Sequence, residues 1–493
     1  MQTSSINLEY IKHPSFITLF FTFVILFFVG YCLVFEKQIG CYLKHKSPWK
    51  VIYQIKNTLA SKIQGKKIII ASGSNCLFGI DSKLLEEITG YKVANLACHA
   101  GLDLGLLYLQ IKEIIKPGDI VVMPLEAPYY TREKLTDFYV DNVIEWAWQD
   151  CFSCSSIIDK INFMISVPPE RILSGLFKAK CEEQDKVSAD VEEVINFKKN
   201  NRYSEWHGYN YKSLNSHGDI LVDEPPTKKV MKIYKQGTTY FSNVNNISDH
   251  FIYNYNKIKK MVSKSSGRLI LTWPVTIRNK KLDLKRDSCR EELRRFKIQL
   301  SKYSIPIFFN PALFNLDINC FFNTRSHTNW IGARIRTENL GACIVNLLKE
   351  HNRKTIGYDQ AIQIVRDKEK DLLGYSAIKD LKKIKRALEM YFNDKKHYPV
   401  STGFDGIHTK WGKSGKDWIP ELVPDYIDSL PRKQPYTNSN STQYLYKSDG
   451  KDYKLISHCP KDCQKVKEVS PNLIDPRRDC WAYGFWTPGA KEW

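Results

Sequence analysis

No long low-complexity tract interrupts this chain, so disorder is expected only locally. No spacing of cysteine, histidine or acidic residues makes a metal-ligand set, and no cofactor-binding spacing is present, so neither a metal nor a cofactor is implied. Acidic residues are in deficit, 53 against 73 lysines and arginines, which leaves a formal charge of +20. That charge does not alternate with aromatics as in a nucleic-acid reader. It lies along lysine-rich helical surfaces such as Lys257–Lys264 and Lys379–Lys385, which excludes nucleic acid as the expected partner. Solvated surface accounts for most of it; attraction to anionic lipid headgroups or acidic envelope glycans is the functional alternative.

What is present fits a folded chain of several parts. With 493 residues, 43% hydrophobic and 13% aromatic, it exceeds what one core usually serves, so two or three domains are expected. Ser15 to Phe35, SFITLFFTFVILFFVGYCLVF, carries no charge. At the helical rise per residue it is about long enough to cross a ~30 Å hydrocarbon layer, and it is apolar on every face. It is predicted to be one membrane-spanning helix, retained as an anchor because no small-x-small cleavage site follows and Tyr31 precedes Cys32.

Two signals on orientation disagree. Lys37, Lys44, Lys46 and Lys50 follow the span while only Lys12 and the terminal amine precede it, which favours a cytoplasmic domain. Cys459, Cys463 and Cys480 cluster in a loop-rich basic tail without a zinc pattern, which reads as one disulfide and a spare thiol, hence the outer face of a bacterial inner membrane. The second reading is preferred. Cys76, Cys98, Cys320 and Cys343 sit in apolar runs as buried fillers, and Cys151-Phe-Ser-Cys154 has redox spacing without the strand-to-helix context that would support it.

From Lys66 to Leu125 strands alternate with helices. Ile68–Ala71, Val93–Leu96 and Ile120–Leu125 read as strands, Asp81–Thr89 and Leu102–Ile115 as helices. Arg268–Trp273 and Ile305–Phe309 read as further strands of the same parallel sheet, and helical insertions are expected over about 138–263. Ile68-Ile-Ile-Ala-Ser-Gly-Ser-Asn75 runs from an apolar strand into a Gly-Ser turn, leaving the Ser74 hydroxyl at the strand's carboxyl end, where ligands of such sheets bind. Far along the chain, Phe322-Asn-Thr-Arg-Ser-His-Thr-Asn-Trp-Ile-Gly332 supplies His327. A serine hydroxyl is a poor nucleophile until a base takes its proton, and an imidazole can both accept and return that proton. A serine at such a turn also serves as a helix cap, and His327 could equally satisfy a backbone carbonyl.

These residues resemble the SGNH, or GDSL-type, hydrolase superfamily, in particular its membrane-anchored members of bacterial envelope-polysaccharide systems. The resemblance covers roughly 48–350. Ser72-Gly-Ser-Asn75 matches the first block, which makes Ser74 the implied nucleophile. Asn95-Leu-Ala-Cys-His-Ala-Gly101 matches the second, which makes the Gly101 amide, with that of Ser74, an implied oxyanion-hole donor. His207-Gly-Tyr-Asn210 and His217-Gly-Asp219 resemble a mid-domain element of these members. Asn323-Thr-Arg-Ser-His327, followed by Gly332 and Arg336-Thr-Glu-Asn-Leu340, matches the last block, which gives acid and base.

The chain departs from the pattern in two places. Asn323 stands where the family has aspartate, and an amide does not stabilise an imidazolium as a carboxylate does; Asp317 is a candidate replacement. The third-block asparagine is replaced by Pro124-Leu-Glu126, where an ionised Glu126 would repel an oxyanion unless burial kept it protonated. Asn75 is grouped with Gly101 and Glu126 as oxyanion or substrate residues, and His99 is read as a packing residue. Gly73 and Gly101 have a turn-geometry reading as well.

Past a charged segment at 353–373 the character changes. Ile378, Leu381, Ile384, Leu388 and Tyr391 form one apolar stripe of a helix ending near Asn393-Asp394. Tyr398-Pro399, Trp418-Ile-Pro-Glu-Leu-Val-Pro424 and Tyr426-Ile-Asp-Ser-Leu-Pro431 follow, then the runs Gln443–Lys447 and Asp452–Ile456 joined by a turn at Asp449-Gly450. Over roughly 375–458 this order resembles the globular domain of type II secretion major pseudopilins, without their hydrophobic N-terminal stem. Trp481, Phe485 and Trp486 are expected to cover the small sheet, with stacking on sugar rings as the alternative.

The expected fold is α/β: a three-layer parallel sheet, SGNH or flavodoxin-like, behind one transmembrane helix, plus a small α+β domain with a long helix and an antiparallel sheet. Expected boundaries are 1–47 with the anchor at 15–35, 48–352, a linker at 353–373, and 374–493. The resemblances imply a membrane-anchored, serine-dependent O-acetyltransferase or esterase acting on an envelope polysaccharide or other acylated glycan. Ser74, His327 and Asn323 would be its site, and a protein partner could bind the C-terminal domain. The alternative is a non-catalytic scaffold that keeps the fold but lost its acid.

Overall fold

A computed structural model of the chain describes residues 14–40, 47–153, 155–175, 204, 206–222, 224, 226–242, 244–349, 356–373, 376–431, 443–460 and 462–493. Lys12, Lys44, Lys46, Cys154, the middle of the expected insertion and the start of the expected linker lie outside them. The protein is mixed α/β, with one apolar N-terminal helix, a parallel sheet and an antiparallel sheet. It divides into two compact units, 1–367 and 368–493.

In the first unit, α1 (Pro14–Gln38) contains the one stretch, Ser15–Gln38, that among the described residues is long and apolar enough to cross a membrane; its side chains from Phe16 to Val29 are exposed. α2 (Trp49–Ser61) leads to β1 (Lys67–Ile70), whose four residues are all buried, as expected of a strand covered on both faces. The short α3 (Ser74–Leu77) follows, then α4 (Ser82–Thr89), capped by the Asp81 carboxylate on the Leu84 amide at 3.0 Å and stopped by Gly90 at φ +73. β2 (Lys92–Asn95), α5 (Leu104–Ile114) and β3 (Ile120–Pro124) complete this alternation. Next come α6 (Pro128–Thr131), α7 (Asp137–Asn142), α8 (Ile157–Ser166) and α9 (Pro169–Gly175). After the helices Lys228–Gln236 and Asp249–Lys264 comes β4 (Arg268–Thr272), then the short parallel pair β5 (Thr276–Ile277) and β6 (Asn315–Leu316).

The sheet order is β2-β1-β3-β4, all parallel, with Ile70 opposite Asn95 and Pro124 opposite Thr272. Ile305–Phe309 is not the full fifth strand that its apolar run implied. Pro306 has no amide to donate, and contact with β4 is a bridge between Thr272 and Phe308, closed by the Phe308 amide on Leu271 O at 2.8 Å. Helix Asp249–Lys264 packs on α5 and β4, α2 packs on α5 and β2, and α4 packs on the helix Trp330–Lys349. Lys67 and Asp119 form a fully buried ion pair at 2.7 Å, and Asp119 also accepts from the amides of Lys67 and Lys116, which ties the amino ends of β1 and β3 together.

In the second unit the helix Ser376–Lys395 buries Ile378, Leu381, Ile384, Leu388 and Tyr391, the expected stripe. A five-stranded sheet runs β10-β11-β9-β8-β7, from β7 (Asp405–Gly406), β8 (Gln443–Ser448), β9 (Tyr453–His458), β10 (Ile474–Asp475) and β11 (Asp479–Trp486), with every pairing antiparallel. The β8–β9 hairpin turns at Asp449-Gly450, with Gly450 at φ +91 and the Asp449 carboxylate accepting from the Asp452 amide at 2.7 Å. One expectation fails here. Trp481 is 69% exposed and so does not cover the sheet, although Phe485 and Trp486 are half-buried. The tail thiols of Cys463 and Cys480 are hydrogen-bonded neighbours.

Candidate active site

β1 delivers the chain to a turn that tolerates no side chain at its centre. A Cβ on Gly73 would lie 2.7 Å from Glu126 Oε1 and 2.8 Å from the Ala100 Cα. Ser72 donates its hydroxyl to Pro124 O at 2.6 Å, and Asn75 Nδ2 donates to Ser72 Oγ at 2.9 Å and to Pro124 O at 3.1 Å, so the turn is fixed to the carboxyl end of β3. Arg336, buried on the helix Trp330–Lys349, donates from Nη1 to Asn75 O and from Nη2 to Asn75 Oδ1, both at 2.6 Å. Ser74 is the first residue of α3 and caps nothing; the cap position belongs to Gly73.

The histidine arrives on a loop pinned to the same helix. Thr328 Oγ1 donates to Phe78 O at 2.8 Å, and the Phe78 ring stacks on the His327 imidazole at 4.2 Å between centroids and 5° between planes. This holds His327 Nε2 2.8 Å from Ser74 Oγ across 253 residues of sequence, and His327 Nδ1 2.8 Å from Asn323 Oδ1. Asn323 Nδ2 donates to the Tyr209 hydroxyl at 3.2 Å, which leaves its carbonyl oxygen toward the imidazole. An acceptor at Nδ1 selects the tautomer protonated there, so Nε2 is left to accept the serine proton. Ser74 and His327 are 7% and 5% exposed, enough to reach and too little for a broad cleft. Burial, with a smaller contribution from His99, pushes the His327 imidazole down to about 3, so it is neutral near pH 7.

The other expected site residues have different fates. Glu126 lies beneath the turn: Oε1 accepts from the Asn75 amide at 3.1 Å, Oε2 is buried without a partner, and burial raises its carboxyl above the usual range. Gly101 does not present a free amide, because that N–H donates to His99 Nδ1 at 3.0 Å. A Cβ there would meet Phe138 at 2.8 Å, so packing requires the glycine. Asn75 faces inward with its side chain engaged by Ser72, Pro124 and Arg336, where it fixes the turn. Asp317 accepts from the Asn319 amide and faces Arg278 at 3.7 Å, and it is not the acid beside His327. His99 is a packing residue as expected, 4.9 Å from the Trp49 ring, with burial holding it down to about 4.

The two mid-domain histidine motifs contribute through their neighbours. Tyr209 of the first reaches Asn323 and stands edge-on to His327 at 6.1 Å. Asp219 of the second accepts from the amide and hydroxyl of Ser82 at 2.8 Å and from Asn95 Nδ2 at 2.7 Å, joining the start of α4 to the end of β2. Phe78 was missed altogether, since a single phenylalanine in a short apolar run carries no sign of the imidazole it will cover. The chain matches no family model and no curated protein.

Proposed function

We propose that the chain is a membrane-anchored acyl-ester enzyme of SGNH type, and the observation that carries this reading is the Ser74–His327–Asn323 hydrogen-bond chain. The strand order β2-β1-β3-β4, extended by the Phe308 bridge, fits a flavodoxin-like sheet, and Ser74 then sits just past β1 at the switch point between β1 and β3. Helices packed as two separate groups, around α5 and around α4, agree with a three-layer arrangement.

In this reading Ser74 Oγ attacks the acyl carbonyl while its proton passes to His327 Nε2. The amide of Ser74 heads α3 without an intrahelical acceptor and receives the developing oxyanion. Burial raises the Glu126 carboxyl, which lessens the repulsion that a carboxylate behind the Asn75 amide would exert on that oxyanion. Collapse breaks the ester bond, Nε2–H protonates the departing alcohol, and an acyl-serine remains. Water or a sugar hydroxyl, deprotonated by Nε2, then attacks that ester and regenerates Ser74. The confined serine favours a short acyl group such as acetyl. The substrate class is an acylated envelope glycan, and the two soluble units lie on the outer face of a bacterial inner membrane behind α1.

Asn323 in the acid position favours a second reading, a non-catalytic scaffold with a glycan groove or a protein partner on the pseudopilin-like second unit. Hydrolysis of an aryl acetate by the full chain separates the two. Turnover abolished by Ser74→Ala and by His327→Ala is expected of the enzyme, whereas a rate equal in all three proteins rejects it.

A further inference from the structure

The described surface holds one conspicuous apolar patch outside α1. On α8, Ile157, Ile158 and Ile165 are 77%, 71% and 75% exposed, and Ile161 adds a smaller share. At 100° per residue these four fall within about a 100° arc, one stripe along the helix. The opposite side is buried through Phe163, and Met164, also buried, borders the stripe next to Ile157. Four isoleucines on one face of a ten-residue helix leave much apolar area in water unless something covers it.

The position of α8 identifies the cover. The apolar run of α1 ends at Phe35, immediately before Glu36 and Lys37. Phe35 is buried against Phe152 and Phe163, at 5.3 and 6.2 Å between ring centroids, and the Tyr31 hydroxyl donates to Met164 O. One turn further, Gln38 packs against Gly175 of α9, where a Cβ would lie 2.4 Å from Gln38 Oε1, and the Gly40 amide donates to Ile144 O at 2.8 Å. The end of α1 is thus seated in the soluble unit, with α8 beside the level at which the apolar run stops. A tyrosine at that level is typical of the bilayer interface.

We propose that α8 is an interfacial helix lying in the membrane surface, its isoleucine stripe buried among lipid acyl chains next to the point where α1 emerges. The occupant is the bilayer itself, because Met164, which borders the stripe, accepts from Tyr31 within the apolar run of α1. An amphipathic helix of this kind buries its apolar face about 5–10 Å deep. It gives the soluble unit a second attachment, so the Ser74 turn keeps a fixed height and tilt above the membrane, as an enzyme on a membrane-tethered glycan requires. The lipid contact does not depend on Ser74 chemistry.

The full chain in lipid nanodiscs tests this, with photoreactive benzoylphenylalanine in place of Ile165 or, separately, Ile157, and Ile298 as an exposed control on the helix Asp287–Ser301. All three side chains are exposed, so the substituent displaces no core packing. Phospholipid adducts by mass spectrometry at 157 and 165 with none at 298 are expected. Adduct yields at 157 and 165 no higher than at 298 would overturn the proposal. So would crosslinks at these positions to a second copy or to residues 176–203 in place of lipid.

Discussion

Replacing Asn323 by aspartate places a carboxylate 2.8 Å from His327 Nδ1, where an amide oxygen now stands. Position 323 is half-buried, so an effective dielectric of about 20 applies, and unit charges about 4 Å apart then interact by about 4 kcal/mol. At about 1.4 kcal/mol per pKa unit this favours the imidazolium by about three units. His327, held down to about 3 by burial, would rise to about 6, where a base both accepts a proton from serine and returns it efficiently. In a serine protease the reverse change, aspartate to asparagine, costs about 10⁴ in turnover, largely because the wrong imidazole tautomer results. Asn323 already selects the working tautomer, so the expected gain is smaller, about 10- to 100-fold in kcat. The assay is aryl acetate hydrolysis against pH. The native protein should have a flat kcat/KM from pH 5 to 8, and Asn323→Asp should acquire an acid limb near pH 6. A variant with neither faster turnover nor a moved limb would refute the role given to His327.

Three further outcomes follow from the packing. Asp119→Ala leaves Lys67 buried and unpaired, and should lower unfolding free energy by about 3–5 kcal/mol in urea titration of the first unit's transition; a loss under about 1 kcal/mol would mean Lys67 finds another partner. His99 and His327 are folded as neutral imidazoles with pKa values near 4 and 3 against an ordinary 6.5, so the unfolded chain binds more protons in between. Their contribution is complete above pH 6.5 and is lost as pH falls toward 4; denaturation midpoints should drop over that window, less steeply in His99→Gln, and an unchanged slope in that variant would show that burial of His99 is not the cause. Cys463 and Cys480, neighbouring thiols in the tail, should be joined by a disulfide in protein isolated from membranes without reductant, as read by peptide mapping; both left reduced there would argue against the outer face.

Much of the first unit was legible because Ile68–Ile70, Val93–Ala94 and Ile120–Val122 are continuous apolar runs, the pattern a covered parallel strand imposes. The same rule misread Ile305–Phe309, since Pro306 removes a ladder donor that hydrophobicity does not record. At the site, Ser74 and His327 could be paired from residue type and context, and the structure puts them in contact. Gly101 could not be judged in this way. Its residue type fits an oxyanion donor, but whether the amide is free depends on where the His99 ring turns. Phe78 acts only through a stacking contact made in the folded chain, and nothing local marks it; Tyr209 lies in the quoted His207-Gly-Tyr-Asn210 motif, whose role shows only where it meets Asn323. Trp481 shows the limit for the second unit, where strand alternation does not say whether a partner element covers the outermost ring.

The central claim is that Ser74 is a nucleophile activated by His327. Fluorophosphonate treatment of the full chain, followed by mass spectrometry of the peptide containing residues 68–80, tests it most directly. A covalent adduct on Ser74 that disappears in His327→Ala is expected; a Ser74 peptide that stays unmodified while a known serine esterase in the same sample is labelled would contradict the claim.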